Sequence, residues 1–381
     1  MNISAMLAGS SSDPGTRTGD AKRHAWLLSV VYPLFPVYAI GLHAWTGREV
    51  WLVVPILFTY GLVPLLDALL GEDNSNPPDR EVARLQNDRY YRMLTWLTVP
   101  LHVIALVAAC SYFVLADLSP FGATVLAITT GLFSGLSVNT GHEMGHHRHP
   151  IDQALTRVAL AVPGYGHFTV EHNFGHHRAV ATPEDHASAR LNESIYRFAL
   201  REIPGGLRRS WRIETERLAR RGRRWYSWHN TILQSHAIAL LLQGGLVLAL
   251  GWPAVLFLLL HNAIAWFQLT SANYVEHYGL LRERRNDGEY ERCQPHHSWN
   301  SNHLMSNLLL FHLERHSDHH AHPGRRYQCL RDFDHVPRLP SGYFGMFLLA
   351  YLPPLWFRVM NPRLMDLPHV QGDLSRINRQ L

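Results

Sequence analysis

The sequence predicts an all-α integral membrane protein: about six transmembrane helices, with a histidine-rich cytoplasmic domain at their inner ends. Three observations lead there. Apolar runs recur along the 381-residue chain, each near the ~20 residues that cross a ~30 Å hydrocarbon core as a helix. The polar segments between them hold most of the 26 histidines, clustered at intervals of three and four, the spacings that share one face of a helix. Arginine and lysine gather in alternate connections, the pattern that sets topology in a membrane. Mean hydropathy is near neutral at −0.10, as suits a chain that is part bilayer and part polar.

Residues 1–24 read as a flexible cytoplasmic tail. Ser, Gly, Thr and Asp predominate, and the apolar run after Lys22-Arg23 is too long for a signal peptide and lacks a small-residue cleavage site. Segment 25–140 carries four spans, from about Trp26 to Trp45, Val50 to Leu70, Leu94 to Leu115 and Phe121 to Asn139. Segment 141–230 is polar. Two more spans fill 231–270, from about Thr231 to Leu250 and Pro253 to Thr270, and a second polar segment covers 271–365. Inside it the apolar stretch 343–357, broken by Pro353-Pro354, has roughly fifteen residues, too few to span comfortably. An interfacial or packed position is expected there. Residues 366–381 form a second tail. Prolines 33, 36, 55, 64 and 100 lie inside spans, where membrane helices tolerate them.

Orientation follows from charge. Arg17, Lys22 and Arg23 precede the first span; Arg80, Arg84, Arg89 and Arg92 lie in 71–93; Arg208, Arg209, Arg212, Arg220, Arg221, Arg223 and Arg224 crowd the middle segment. The opposite connections are very short and contain only Arg48. Positive segments stay inside, so both termini and every histidine cluster are expected on the cytoplasmic side of a bacterial-type inner membrane.

Composition excludes several classes. Lys and Arg number 35 against 30 acidic residues, but the excess sits in those loops, so it reads as topology and not as nucleic-acid binding. Cys110, Cys293 and Cys329 form no Cys-x-x-Cys pair, which excludes a rubredoxin-like iron site, a ferredoxin pattern or a disulfide framework within this chain. There is no Gly-x-Gly-x-x-Gly fingerprint for a flavin or nicotinamide. Electrons for any redox chemistry therefore come from a separate carrier.

The histidines form four clusters: His142-Glu143-Met144-Gly145-His146, Glu171-His172-Asn173-Phe174-Gly175-His176-His177, Asn273-Tyr274-Val275-Glu276-His277 and Arg315-His316-Ser317-Asp318-His319-His320. Each sits at or just beyond the inner end of an apolar helix, or in the polar segment that follows one. Imidazole suits iron, copper, nickel and zinc, whereas a structural zinc site usually recruits cysteine. The clusters offer nine well-spaced candidate ligands: His142, His146, His172, His176, His177, His277, His316, His319 and His320. Nine is too many for one ion and suits two with open positions, hence redox or hydrolysis. The adjoining carboxylates Glu143, Glu171, Glu276, Glu314 and Asp318 are expected to hold the outer ring N–H of the ligands. The remaining histidines, His147 and His149 among them, read as ordinary surface or core residues. His261, within the sixth span, reads as an interhelical hydrogen bond at least as well as a functional group.

At these residues the chain closely resembles the membrane-bound alkane 1-monooxygenase (alkane hydroxylase) family, part of the wider group of integral-membrane fatty acid desaturases and hydroxylases. Asn-Tyr-Val-Glu-His-Tyr-Gly-Leu at 273–280 is the most discriminating match, since generic desaturases lack it. Asp67-Ala-Leu-Leu-Gly-Glu-Asp73, Asn76-Pro77-Pro78 and Pro353-Pro354-Leu355-Trp356 also resemble this family, and the likeness runs from roughly residue 26 to 365. It implies a non-haem diiron centre, dioxygen as co-substrate, and hydroxylation of the terminal methyl of medium-chain n-alkanes, with the nine histidines carried over as iron ligands. It also implies electrons from a rubredoxin, with a rubredoxin reductase upstream. Some relatives carry a fused rubredoxin; this chain has no cysteines for one.

The physical logic agrees. An alkane offers only apolar surface, worth ~0.8 kcal/mol per buried CH₂, so a tunnel among membrane helices would draw it from lipid, with Trp51, Phe58 or Tyr60 as candidate stops. Asp67, Glu72 and Asp73 are expected to cap or hydrogen-bond, not to bind metal. An acidic rubredoxin would suit the basic surface of 197–224. The rival readings are a fatty acyl desaturase or hydroxylase, an aryl-methyl hydroxylase, and a metal transporter. A transporter would place its ligands near the bilayer midplane, not at the helix ends.

Overall fold

The apolar runs become helices, several of which continue beyond the apolar residues themselves. The computed structural model describes Asp20 and residues 22–379; the N-terminal tail up to residue 19 lies outside the described residues. In chain order its helices are α1 (Leu27–Thr46), α2 (Val50–Leu70), α3 (Asp79–Asn87), α4 (Arg89–Leu115), α5 (Pro120–Gly145), α6 (Pro150–Ala161), α7 (168–179), α8 (Ile195–Ala219), α9 (Thr231–Leu250), α10 (Pro253–His277), α11 (Leu304–Leu309), α12 (His316–Ala321), α13 (Tyr343–Ala350) and α14 (Pro353–Met365). Six of them, α1, α2, α4, α5, α9 and α10, are long and apolar enough to cross a membrane. Among the described residues the extended pairings are isolated bridges, such as Glu72 with His303.

Start signals explain the helix N-termini. Asp88 accepts from the Tyr90 N–H at 2.9 Å, Ser119 from Gly122 at 3.1 Å and Asn230 from Leu233 at 3.1 Å, each satisfying a backbone donor the helix leaves orphaned. α4 therefore starts at Arg89, earlier than hydropathy suggests, because the Asp88 cap sets the start of the helix while apolarity marks only the buried part. α5 and α10 likewise run on to Gly145 and His277, past their apolar runs and into the first and third histidine clusters. Proline breaks the regularity of the first two spans: α1 tightens to a 3₁₀ turn at Tyr32–Leu34 around Pro33, and α2 widens to a π turn at Phe58–Leu62 between Pro55 and Pro64.

α5 and α10 pack along most of their lengths at the centre of the bundle. Glycine allows the approach: a Cβ on Gly131 would meet the His261 carbonyl oxygen at 2.7 Å, and one on Gly135 would meet Gln268 Cβ at 2.8 Å. His261 is spent holding this crossing, with Nε2 at 2.7 Å from Ser134 Oγ and Nδ1 at 2.9 Å from Asn262 Oδ1. The short apolar stretch does not run straight through: α13 and α14 meet at a bend of 119°, and Tyr343, Phe344 and Phe347 are buried in a core shared with Tyr32, Phe133 and Tyr274.

The acidic residues at the C-terminal end of α2 fasten that helix to the chain leading into the fourth cluster. Asp67, fully buried, accepts from the Ser306 N–H at 3.0 Å and from the Ser306 hydroxyl at 2.5 Å. Asp73 accepts from Lys22 Nζ and from Ser75. Glu72 stands 3.9 Å from His303.

Candidate metal centre

Four short pieces of helix bring the nine histidines together. The end of α5 presents His142 and His146, α7 presents His172, His176 and His177, the last turn of α10 presents His277, and α12 presents His316, His319 and His320. They fall into two groups, within each of which one ring nitrogen per residue lies within 4.8 Å of the others. Five form the first: His142, His146, His172, His177 and His319. Four form the second: His176, His277, His316 and His320. The groups abut, with the His177 and His320 rings 4.4 Å apart between centroids.

The division follows local geometry. α7 is π-helical over Glu171–His176, and the wider turn puts residues five apart on one side. His172 Nε2 therefore lies 2.9 Å from His177 Nε2, while His176 between them turns to the second group. On α12, His316 and His320, four apart, share the second group with Nε2 atoms 2.9 Å apart, and His319 faces His142 at 2.9 Å in the first.

The carboxylates do not act as their neighbourhood in sequence suggests. Glu143 accepts from the Tyr327 N–H at 3.2 Å and stands 3.5 Å from His147. Glu171 accepts from Arg209 Nε at 2.9 Å. Asp318 accepts from the Arg331 N–H at 2.9 Å and pairs with His322 and Arg325. Glu314 accepts from the Tyr343 N–H at 2.7 Å. Adjacent residues on a helix do not face one way, so a carboxylate beside a ligand points elsewhere. Glu276 is the exception that reaches a ring, but on the inner side: its Oε2 lies 3.3 Å from His316 Nε2, the nitrogen that also faces His277 at 3.1 Å. The expected outer-nitrogen partner is instead Asp185, whose Oδ2 lies 2.8 Å from His176 Nδ1. Arg209 fixes that carboxylate from Oδ1 at 2.7 Å while also binding Glu171, and Ser188 donates to it at 2.7 Å. The second outer partner is a main-chain carbonyl, His297 O, at 3.1 Å from His277 Nδ1.

The donor set suits a borderline transition metal. Burial, reinforced by neighbouring imidazoles, pushes His146, His172, His177, His316, His319 and His320 well below the usual histidine range, which leaves them neutral, the form that binds metal. His146 Nε2 and His176 Nε2 are buried with no hydrogen-bond partner among the described residues. Such an orphan costs roughly 1–3 kcal/mol, a cost that an ion between the rings removes. A third grouping, Glu291 with His296 and His297, differs: the Gln294 N–H donates to His297 Nδ1 at 2.9 Å, so that nitrogen is engaged as an acceptor, and Nε2 stands 3.2 Å from Glu291.

Two unlike cavities flank the histidines. A narrow apolar one, about 40 Å³, runs between α5 and α10 past Leu136, Val138, Leu269, Ala272, Leu313 and Phe347, and ends on His142, His172, Glu276 and His316. Trp51, Phe58 and Tyr60 do not line it; Tyr60 acts at one remove, donating to the wall residue Gln268 at 2.5 Å. The other cavity, about 610 Å³ and polar, reaches His146. His147 lies on that polar wall, and His149 instead caps α6. Most of the basic surface of 197–224 is open: Arg209 is buried and Arg201 is bound to Glu193, while Arg208, Arg212, Arg220, Arg221, Arg223 and Arg224 are exposed.

The sequence pattern of the fatty acid desaturase family matches residues 119–350, from the start of α5 to the end of α13. Alkane 1-monooxygenase 1 of Alcanivorax borkumensis is 50% identical over 95% of this chain and 89% of its own length. The alkane 1-monooxygenase of Pseudomonas putida is 50% identical over 94% and 89%. A more distant relative, the xylene/toluene monooxygenase hydroxylase component of Pseudomonas putida, is 29% identical over 88% and 89%. With all four histidine clusters inside the shared span, the chain belongs to the alkane 1-monooxygenase family of integral-membrane desaturases and hydroxylases.

Proposed function

We propose that the protein is a non-haem diiron monooxygenase that hydroxylates the terminal methyl of medium-chain n-alkanes, with electrons from a separate rubredoxin. The observation that carries this reading is the apolar cavity ending on a cage of nine imidazoles. The cavity offers an alkane what it can use, ~0.8 kcal/mol for each CH₂ buried, on a wall that is mostly apolar. The relatives named alkane 1-monooxygenase, 50% identical against 29% for the xylene/toluene component, favour alkanes over aryl methyl groups.

His142, His146, His172, His177 and His319 would hold one iron and His176, His277, His316 and His320 the other. Two irons, when bound, supply the activation of dioxygen. The chain's own residues do the rest. Leu136, Leu269, Leu313 and Phe347 line the alkane and exclude water. Asp185 and the His297 carbonyl fix the rings of His176 and His277. Glu276 touches both cavity and cage, and its Oε1 has no partner among the described residues, so it is the carboxylate placed to hold a proton at the reacting end. The overall change, alkane plus O₂ plus two electrons and two protons to alcohol plus water, takes both protons and two electrons, delivered one at a time by a one-electron carrier such as rubredoxin. The positive-inside pattern supports a cytoplasmic, inner-membrane face for the cage and the termini, and the exposed arginines of 208–224 suit the docking of an acidic rubredoxin there.

Purified protein with reduced rubredoxin, O₂ and a series of n-alkanes tests the reading, run beside acyl and aryl-methyl substrates. Primary alcohols from alkanes, dependent on rubredoxin, are expected. Turnover with NADH and no added protein would sink the carrier, and unsaturated acyl products would sink the substrate class.

A further inference from the structure

The polar cavity is unlike the rest of the molecule in its charge. Arg148, Arg157, Arg217 and Arg221 line it, and no carboxylate does. Among the described residues only Arg217 is answered by a carboxylate, Glu214 at 2.6 Å outside the lining. Arg157 is half-buried on α6, and its guanidinium donates to the Gln153 carbonyl at 3.3 Å without an acidic partner among the described residues. A guanidinium drawn from water without a counter-ion is costly unless an anion meets it. At about 610 Å³ the cavity falls in the size range of small-ligand sites.

Its position says what the anion belongs to. Thr231 and Ser235, in the first turns of α9, complete the wall, so the cavity lies at the depth where a span enters the bilayer. Just before it, Trp225, Tyr226 and Trp228 are exposed, Trp228 at 87%, as interfacial aromatics are. Beyond it the outer face of α9 offers Leu240, Leu241 and Leu248, exposed at 73%, 78% and 90%. Arginines at the headgroup level and an uncovered apolar helix below them match one molecule with a phosphate and two acyl chains.

We propose that this cavity binds the phosphate of an anionic membrane phospholipid whose acyl chains lie along α9, with Arg148, Arg157 and Arg221 as the charged contacts. Bound there, the headgroup closes the polar side of the cage at His146.

Native mass spectrometry of the iron-loaded protein in detergent tests this, with phosphatidylglycerol, phosphatidylcholine or inorganic phosphate added. One phosphatidylglycerol should be retained per chain in preference to phosphatidylcholine. Loss of two charge-assisted contacts in Arg157→Gln/Arg221→Gln should weaken it about ten- to a hundredfold, with iron content and thermal transition unchanged. Arg148→Gln, on an exposed residue, should weaken it less and guards against a folding defect. Equal retention of both lipids, or unchanged retention in the variants, would overturn the proposal. Competition by inorganic phosphate as effective as by the lipid would make it a free-anion site and overturn it too. So would a rubredoxin KM that rises in the double variant while lipid retention does not move.

Discussion

The two histidine groups share rings from the same helices yet are built differently. Every ring of the four-histidine group is buried, and two of its outer nitrogens are held, His176 by Asp185 and His277 by the carbonyl of His297. In the five-histidine group, His146 and His177 are only partly buried. Among the described residues, the hydrogen-bond-range contacts of those five rings are with one another. One group is oriented by a supporting layer of polar partners, the other by helix geometry alone and by the number of its donors. An outer partner fixes ring tautomer and direction and strengthens the ligand. The four-histidine group is therefore expected to hold its ion more tightly, and the five-histidine group, beside the polar cavity, to exchange first.

The largest effect should come from ligand removal. His320→Ala in one group and His172→Ala in the other should each abolish alkane hydroxylation, at least about a hundredfold, since the loss of a ligand exceeds that of its supporting partner. His277→Ala is the most informative single change, because that residue comes from the segment that separates this family from generic desaturases; full activity there would refute the ligand set. His149→Ala, at the α6 cap, should cost far less.

Acid should erase the difference between the groups. His172, His316 and His319 are held below the usual histidine range by burial, so below about 6.5 the unfolded chain binds more protons than the folded one. Stability and iron retention should be complete above that pH and fall as pH drops through it, by up to about 1.4 kcal/mol per pH unit for each ring kept neutral. Iron release and unfolding followed from pH 8 to 5 check this; retention that rises on acidification would contradict it.

Asp185→Ala should bring the tighter group down toward the looser one. About ten- to a hundredfold weaker iron retention is expected, the range for outer partners of metal-bound histidine, seen as faster loss of the second iron to a chelator. Asp185→Asn should restore part of it. Glu143→Gln, which touches the Tyr327 N–H and His147 and no cage ring within hydrogen-bond range, should leave both irons in place.

The smallest effect concerns the substrate side. Gly135 lines the apolar cavity where α5 crosses α10, and a Cβ there would press on Gln268 at 2.8 Å. Gly135→Ala should destabilise by about 1–3 kcal/mol as an overpacked contact and shift turnover toward shorter alkanes. Equal activity across the alkane series in this variant would remove that cavity from the substrate path.

Much of this was legible in the residues. The six spans follow from apolar length, and the nine histidines stand out because their spacing repeats at four helix ends. What the spacing could not convey is the division between groups, since the π turn at Glu171–His176 leaves no mark in composition. Glu143 and Asp318 misled for a physical reason: next to a ligand in sequence means about 100° away on a helix, so each found a loop partner instead. Asp185 was missed because it is a single acid nine residues beyond His176 in an irregular segment, brought to the ring by tertiary folding and pinned there by Arg209 from α8. Likewise the cavity wall at Gln268 was invisible, while Trp51 and Phe58, bulkier and more conspicuous, lie off it.

The central claim is that the two groups hold one iron each. Iron content of the purified protein, measured beside His146→Ala and His320→Ala with X-ray absorption on each, tests it most directly. The account predicts two irons in the parent protein with a nitrogen-dominated shell, and one remaining in each variant, five-coordinate by imidazole when the four-histidine group is broken. One iron in the parent, or a single-ligand variant in either group that keeps two irons, would contradict it.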